Sequence, residues 1–173
     1  IPQAIFSGGS SARIMIIGQA PGITEVEAGR PFNAGSGSRL FRWLSDAGIE
    51  EDSFRAQQYM TSVTKCFPGK APSGSGDRVP SRAEQKLCRS FLDAEIEIVN
   101  PSMIIPVGRL AINLFFPARL PLAKIIGQKK DFDTGVIIPL PHPSGASRWH
   151  QNAENRERIK HAVDLITVVL GTL

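Results

Sequence analysis

The stretch RIMIIGQAPG, residues 13–22, decides the fold of this chain. Its apolar part, Ile14–Ile17, is rich in β-branched side chains and stops at Gly18. A short continuous apolar run that ends at a turn is typical of a strand buried on both faces, as in a parallel sheet. The loop GQAPG that follows carries few side-chain atoms, which suits either an ordinary turn or a backbone that approaches a ligand closely. The stretch therefore predicts a buried strand with a candidate binding loop at its carboxyl end.

Three further apolar runs predict strands at Tyr59–Val63, Met103–Val107 and Val136–Leu140. Strands that alternate with helical patterns are typical of the α/β class. We expect a three-layer sandwich in which helices flank a central, four-stranded, mostly parallel sheet. Because ligands bind beyond the carboxyl ends of such strands, the loops that follow the strands are the places to search for function.

Helical patterns separate these strands, and one of them begins with a capping box at Ser81–Glu84. Its periodicity predicts an inward-facing stripe made of Leu87, Phe91, Ala94 and Ile98. Other helices are predicted from Ser36 or Ser38 to Gly48, over Arg109–Phe116, and near the C-terminus, where one face carries Ile159, Ala162, Val163, Ile166 and Val169. The Pro-, Gly- and Ser-rich stretch Phe67–Pro80 is predicted to be a long surface loop.

The composition is that of a single globular domain over residues 1–173, since 42% of the residues are hydrophobic and 21% are charged. This balance excludes intrinsic disorder. The apolar runs are too short to cross a bilayer, and the N-terminus has no signal-peptide pattern. We expect a soluble, monomeric, cytoplasmic protein with no membrane partner, associated with the nucleoid if the source is bacterial. The chain opens at Ile1 without an initiator Met, so upstream residues are a possibility.

The charge balance favours a polyanionic partner, because 20 basic against 16 acidic side chains leave a net charge of +4. The two cysteines, Cys66 and Cys88, are too few for a disulfide framework and form no Cys-x-x-Cys motif. Buried free thiols are the simplest interpretation.

Two residues in the loops have the character of site residues. His142 stands between two prolines after the fourth predicted strand, which fixes its backbone and holds its imidazole in place, so it is either a structural histidine or a positioned functional group. Phe32 is an aromatic side chain within the polar loop 29–33, where it is either a stacking platform or a core residue.

Taken together, five segments resemble the motifs of one family, the uracil-DNA glycosylase superfamily. GQAPG at 18–22 and GRPF at 29–32 resemble the GEAPG and GRPF segments of its iron-sulfur family four, at the same separation. TSVTKC at 61–66 resembles TNVVKC of that family, and CRSFLDAE at 88–95 resembles CRPYLDAE. HPS at 142–144 resembles the second catalytic motif. The resemblance covers nearly the whole chain and is strongest to family four.

The continuation of the last motif, HPSGASR at 142–148, also resembles the NPSGLSR loop of the mismatch-specific uracil/thymine branch. The chain therefore combines features of two subfamilies.

The resemblance implies a monofunctional DNA repair glycosylase that flips uracil out of DNA, hydrolyses its N-glycosidic bond and leaves an abasic site. Other deaminated bases are further candidate substrates. His142 would donate a hydrogen bond to uracil O2 as negative charge develops on the leaving base. The implied base-binding residues are Gln19, Ala20, Phe32 and Ser62. The implied DNA-binding residues are Pro21, Gly22, Ser144, Gly145, Ala146 and Arg148.

Two positions depart from the family pattern. Ser62 replaces the Asn that reads the uracil edge, and a hydroxyl lacks the paired donor and acceptor of an amide. Ala20 stands where other branches place a water-activating Asp or Asn. Water activation is therefore assigned to Glu25, to Asn33 or to a backbone-held water.

A third departure concerns the cofactor. Family four binds a four-iron, four-sulfur cluster through four cysteines, and only Cys66 and Cys88 have counterparts here. We expect no cofactor in this chain, and a cluster only if ligands lie outside it.

Two other function classes fit the sequence less completely. One is a non-catalytic binder of uracil-containing or abasic DNA, for which a fixed leaving-group donor at His142 has no purpose. The other is a small nucleotide-binding enzyme of flavodoxin-like topology, which the absence of a phosphate-cradle motif disfavours.

Overall fold

The computed structural model describes residues 3–145 and 147–173, and a five-stranded sheet forms its centre. The strands are β1 (Ile14–Gly18), β2 (Tyr59–Ser62), β3 (Met103–Pro106), β4 (Lys130–Phe132) and β5 (Gly135–Ile137). Their order is β2-β1-β3-β5-β4, with β4 antiparallel to β5 and the other pairs parallel. The predicted mostly parallel α/β sheet is confirmed.

The strand count differs from the prediction because of the β4–β5 hairpin. Strand β4 is largely exposed and begins with two charged residues, so it has no apolar run that sequence reasoning can detect. Strand β5 ends at Ile137, earlier than predicted, and Leu140 rejoins the sheet through an isolated bridge to Val107. The sheet therefore has five strands rather than four.

The helices are α1 (Ile23–Ala28), α2 (Gly35–Ser45), α3 (Glu51–Gln57), α4 (Arg82–Val99), α5 (Arg109–Ile112) and α6 (Ala153–Leu170). Short 3₁₀ turns lie at Leu122–Lys124 and Trp149–Gln151. Among the described residues, no helix combines the length and the apolar character that a membrane crossing requires.

Side chains alternate between the two faces of the sheet, as expected for strands with a two-residue period. Ile14 and Ile16 of β1 belong to the core that the sheet shares with α2, α3 and α6. Met15 and Ile17 belong to the core on the opposite face, against α4 and α5. This arrangement is the predicted three-layer sandwich.

Helix α4 is capped as predicted but faces the core with different residues. Ser81 Oγ accepts from the Glu84 N–H, and a Glu84 carboxylate oxygen accepts from the Ser81 N–H. The predicted inward stripe is wrong: Leu87, Phe91 and Ile98 are 73%, 64% and 68% exposed, and Ala94 is exposed too.

A polar contact accounts for the rotation of α4. The Glu95 carboxylate receives hydrogen bonds from Lys65 Nζ at 2.5 Å and from Thr61 Oγ1 at 2.9 Å, both on the sheet side. Turning Glu95 inward places Leu92 and Val99, rather than the predicted stripe, against the sheet. The packed face of α4 is therefore the one on which the partly buried Glu95 meets Lys65 and Thr61.

Helix α2 begins earlier than predicted, with Ala34 rather than Ser36 or Ser38 at the N-cap position. The first turn packs tightly against the preceding loop, since a Cβ on Gly37 would lie 1.9 Å from the Phe32 carbonyl oxygen. Glycine at position 37 therefore permits the early start.

The surface loop Phe67–Pro80 contains a small hairpin. Lys70 and Asp77 form an antiparallel bridge and an ion pair of 2.9 Å. Arg78 donates to both carboxylate oxygens of Glu84, at 2.6 and 2.8 Å. These contacts tie the loop to the start of α4.

Candidate active site

A pocket opens at the carboxyl edge of the sheet, where the loops after β1, β2, β3 and β5 meet. Strand β1 lies between β2 and β3, so this is the point at which the order of the parallel strands reverses and where such folds bind ligands. The pocket encloses about 430 Å³ including its open mouth. Seven residues predicted from the sequence line it: Gln19, Ala20, Pro21, Glu25, Phe32, Ser62 and His142.

Phe32 is held in an unusual backbone conformation. Its φ angle is +52°, in the left-handed region that non-glycine residues rarely adopt. Arg55 stabilises the turn by donating to the carbonyl oxygens of Pro31 and Phe32, at 2.8 and 2.7 Å. The ring lies over Gly18, where an added Cβ would be 2.8 Å from Phe32 Cζ. The Phe32 ring is therefore positioned by its contact with Gly18 and by the turn that Arg55 holds through the Pro31 and Phe32 carbonyls.

His142 is fixed by two neighbours. Its Nδ1 accepts a hydrogen bond from the Ser144 N–H at 3.2 Å, so the proton of the neutral imidazole resides on Nε2. The ring packs against Gly108, whose φ is +85° and whose added Cβ would lie 3.1 Å from His142 Cδ2. Burial lowers the pKa of His142, which favours the neutral form. The result is a positioned Nε2–H donor on a residue that lines the pocket.

The hydroxyl of Ser62 is buried and already donates. Its Oγ is 2.7 Å from the Thr64 carbonyl oxygen, which uses its single proton. Toward a ligand, the Ser62 hydroxyl can therefore only accept a hydrogen bond, through the lone pairs of its oxygen.

The loops after β1 and β2 are joined by backbone hydrogen bonds. The Val63 N–H donates to the Gly18 carbonyl at 3.0 Å, and the Thr64 N–H donates to the Gln19 carbonyl at 3.3 Å. Gln19 and Ser62 are thereby held on neighbouring parts of the pocket wall.

The two side-chain candidates for water activation, Glu25 and Asn33, occupy different places. Glu25 is buried and lines the pocket, and its carboxylate accepts from the N–H groups of Gly22 and Asn33, at 3.0 and 3.2 Å. The Asn33 amide binds away from the pocket, with Oδ1 accepting from Arg30 Nε and Nδ2 donating to the Thr24 carbonyl. The structure brings Glu25, and not the Asn33 side chain, to the pocket wall.

The predicted DNA-binding residues are spread over three places. Pro21, Gly22 and Ser144 line a cleft that continues from the pocket towards the loop 67–80. Gly145 lines a separate cleft beside α6, and Arg148 is exposed. Ala146 lies outside the described residues. Trp149, next to Arg148, is partly buried and packs against the core.

Sequence reasoning missed several residues of the site. Ser36, Thr61 and Val107 line the pocket, and Asp77 and Arg78 line the adjoining cleft. Val107 follows β3 directly, so it could have been predicted from the rule that ligand sites form beyond the carboxyl ends of the strands. Asp77 and Arg78 reach the site through the folding of a long loop, for which the sequence offers no comparable signal.

A largely buried ion pair, with Lys65 buried and Glu95 partly exposed, lies behind the pocket. Lys65 Nζ contacts a Glu95 carboxylate oxygen at 2.5 Å and donates to the Ser62 carbonyl at 2.8 Å and to Thr61 Oγ1 at 2.7 Å. Burial lowers the pKa of Lys65, an effect that Glu95 opposes. Burial, together with the Glu95 carboxylate, raises the pKa of nearby Tyr59 to about 12. The pair fixes the end of β2, where Ser62 faces the pocket.

Cys66 and Cys88 are free thiols, both partly buried. Burial, and next the proximity of Cys88, raises the pKa of the Cys66 thiol. A four-iron cluster is held by four thiolates, and within residues 3–145 and 147–173 no group of three or more His, Cys, Asp or Glu side chains is arranged to hold a metal ion. The described residues alone therefore do not fit such a cluster.

Comparison with known proteins points to one family. Residues 6–166 match the family described as "Uracil DNA glycosylase superfamily". The chain is 34% identical over 151 residues to the type-4 uracil-DNA glycosylase of Thermotoga maritima, covering 86% of this chain and 73% of that protein. It is also 34% identical to the type-4 enzyme of Sulfurisphaera tokodaii, covering 80% of this chain and 63% of that protein.

Among solved structures, a solution NMR structure of a protein assigned as a uracil DNA glycosylase from Methanosarcina acetivorans matches 93% of this chain and 98% of that one. The sequence identity is 16% and the TM-score is 0.48.

Proposed function

The chain belongs to the uracil DNA glycosylase superfamily and is a uracil-DNA glycosylase, and we propose that uracil is flipped out of DNA into the pocket lined by Phe32 and His142. The N-glycosidic bond is then hydrolysed, and an abasic site remains in the DNA. The observation that carries this proposal is the fixed tautomer of His142, whose Nδ1 accepts from Ser144 and whose Nε2–H is thereby the donor.

His142 acts on the leaving group. When the bond between C1′ and N1 breaks, its electron pair stays with the base, and negative charge develops on uracil O2. The Nε2–H donates a hydrogen bond to this oxygen. A donor that is already oriented needs no reorganisation during the reaction, which is why such groups lower the barrier strongly.

Phe32 holds the flipped base by stacking. Its ring is immobilised over Gly18, so little conformational entropy is lost when a base packs against it. Stacking of a base on an aromatic side chain contributes about 1–3 kcal/mol and tolerates any base. Phe32 therefore supplies affinity and leaves discrimination to polar groups.

Ser62 discriminates through its acceptor. Because its proton is given to the Thr64 carbonyl, Ser62 Oγ is complementary to a base that presents an N–H at its hydrogen-bonding edge. Uracil presents N3–H, whereas the corresponding nitrogen of cytosine is itself an acceptor. The proposed base range is therefore uracil and other deaminated bases with such an N–H, with cytosine excluded.

Glu25 stabilises the developing charge on the sugar and activates the attacking water. Its carboxylate is held on the pocket wall by two backbone N–H groups. A carboxylate there stabilises the positive charge that develops on the sugar as the bond breaks, and it accepts a proton from the attacking water. Of the two side-chain candidates for water activation, the geometry supports Glu25.

We propose that the enzyme acts as a monomer. Its proposed partners are uracil-containing DNA and the abasic product. The proposed compartment is the cytoplasm, and the nucleoid in a bacterial cell.

The test is excision from an oligonucleotide with a single uracil, followed by alkaline cleavage of abasic sites. The wild-type chain should cut at uracil and leave an otherwise identical cytosine strand intact. His142→Ala should lose about 10²- to 10³-fold in single-turnover rate. Lys86→Gln, an exposed change on α4, is the matched control and should keep the full rate.

Two results contradict the proposal. Binding of uracil-containing DNA without cleavage by the wild-type chain would identify a non-catalytic binder. Full excision by a folded His142→Ala protein would show that His142 does not stabilise the leaving base.

A further inference from the structure

A second cleft lies between α2 and α6, separate from the pocket and without a role in the chemistry described above. Arg39 and Trp43 of α2 form one wall, and Arg156 and Lys160 of α6 form the other. The cleft encloses about 1030 Å³ including its open side. A volume of this size accommodates an extended ligand rather than a single ion.

The charge in this cleft is predominantly positive. Three cations, Arg39, Arg156 and Lys160, face one carboxylate, that of Asp46. None of the three cations forms an ion pair with a residue that the structure describes. Their positive charge is therefore not neutralised within the described part of the chain.

The acidic side chains in the first two turns of α6 lie outside the cleft. Arg156 and Lys160 line the cleft, whereas Glu154 and Glu157 line a different depression together with Arg158. Glu154 pairs there with Arg158 at 3.6 Å and does not neutralise the cations of the cleft. The positive charge of the cleft favours an anionic ligand.

The cleft begins close to the pocket. Gly145 lines the cleft and His142 lines the pocket, and three residues of chain span at most about 11 Å. Arg39 links the two, because its Nη1 donates to the Pro143 carbonyl at 2.8 Å and Arg39 also lines the cleft. Successive phosphates of one DNA strand advance by about 3.4 Å along the duplex axis. The near edge of the cleft, at Gly145, is therefore within about three base-pair steps of the flipped base.

We propose that this cleft binds the phosphate backbone of the DNA that flanks the lesion, with Arg156 and Lys160 contacting the phosphates. The inference rests on the proposed function, since it identifies where the DNA substrate continues beyond the pocket. Phosphate contacts of this kind position the duplex and carry no sequence information. These contacts hold the DNA beside the loop that follows His142, next to the pocket into which the base is flipped.

The test is the salt dependence of binding to a duplex that carries a tetrahydrofuran abasic-site analogue, which cannot be hydrolysed. Lys160→Gln is compared with the Arg156→Gln/Lys160→Gln double variant and with the wild-type chain by fluorescence anisotropy. Each lost phosphate contact lowers the slope of log K against log salt by about 0.9. We therefore expect a decrease of about 1 for the single variant and about 2 for the double variant.

The control is Lys86→Gln on α4, because it removes the same charge from an exposed helical position on the opposite face of the sheet. It should retain the wild-type slope. All three positions are exposed, so melting temperatures should stay close to that of the wild-type chain.

An unchanged slope in the double variant would overturn the proposal, and so would an equal decrease in Lys86→Gln. If the wild-type chain binds the duplex but does not excise uracil, the proposed function fails and the slopes still decide the role of the cleft. If excision is intact and the slopes do not differ, the cleft proposal fails alone. If the duplex is not bound at all, the cleft proposal fails, and the excision assay alone decides the proposed function.

Discussion

Gly18 and Phe32 are in direct contact, and the contact leaves no space for a side chain at position 18. A Cβ on Gly18 would lie 2.8 Å from Phe32 Cζ and 3.3 Å from Cε2. Gly18 is the last residue of β1, and Phe32 lies in the loop before α2. The end of the central strand thereby sets the position of the ring that is proposed to stack on the base.

The first prediction concerns this contact. Gly18→Ala should displace the Phe32 ring and weaken base capture by an amount comparable to that of Phe32→Ala, about 1–3 kcal/mol. The measurement is the single-turnover excision rate as a function of enzyme concentration. Gly35→Ala is the matched control, since no atom lies within 4 Å of its added Cβ. Full activity of Gly18→Ala would show that ring position does not limit capture.

The sequence identified Phe32 as an aromatic residue in a polar loop but left its role open between stacking and core packing. Whether the Phe32 ring faces the pocket depends on its φ angle of +52° and on hydrogen bonds from Arg55, which is 23 residues away. Long-range contacts of this kind have no local sequence pattern. His142 was easier to predict, because its two flanking prolines are local and restrict the chain directly.

The second prediction is a pH dependence of stability. Burial lowers the pKa of His142 in the folded state, whereas an unfolded histidine has a pKa near 6.5. Below about pH 6.5 the unfolded chain therefore binds more protons, so the free energy of unfolding should fall as the solution is acidified. His142→Gln should reduce this slope, measured by urea unfolding between about pH 7.5 and 5. Identical slopes in the two proteins would contradict the assignment.

The third prediction tests the orientation of α4. Leu92 is 1% exposed, and its replacement by Ala should cost about 2–5 kcal/mol of stability. Phe91 is 64% exposed, so Phe91→Ala should change stability by less than about 0.5 kcal/mol. Urea unfolding of the two variants measures both values. The opposite order would favour the orientation predicted from the sequence.

The sequence predicted the existence and cap of α4 but not its rotation. Periodicity assumes that large apolar residues face inward, and here a partly buried ion pair overrides this assumption. Glu95 must meet Lys65, and the two residues belong to segments whose pairing is a tertiary feature. Strands β1, β2 and β3 were predictable because their apolar runs are continuous, so no choice of face was required, whereas β4 has no such run.

The fourth prediction concerns the thiols. Cys88 lies close enough to Cys66 to contribute to the raised pKa of the Cys66 thiol, and the two residues provide two of the four thiolates that a four-iron cluster requires. We expect the purified 173-residue chain to be colourless, without stoichiometric iron, and still active on uracil-containing DNA. Iron analysis and the visible spectrum measure this directly. Because burial raises the pKa of Cys66, its alkylation at neutral pH should be slower than that of an unfolded control. Stoichiometric iron with visible absorbance would show that ligands besides these two thiols complete a cluster site.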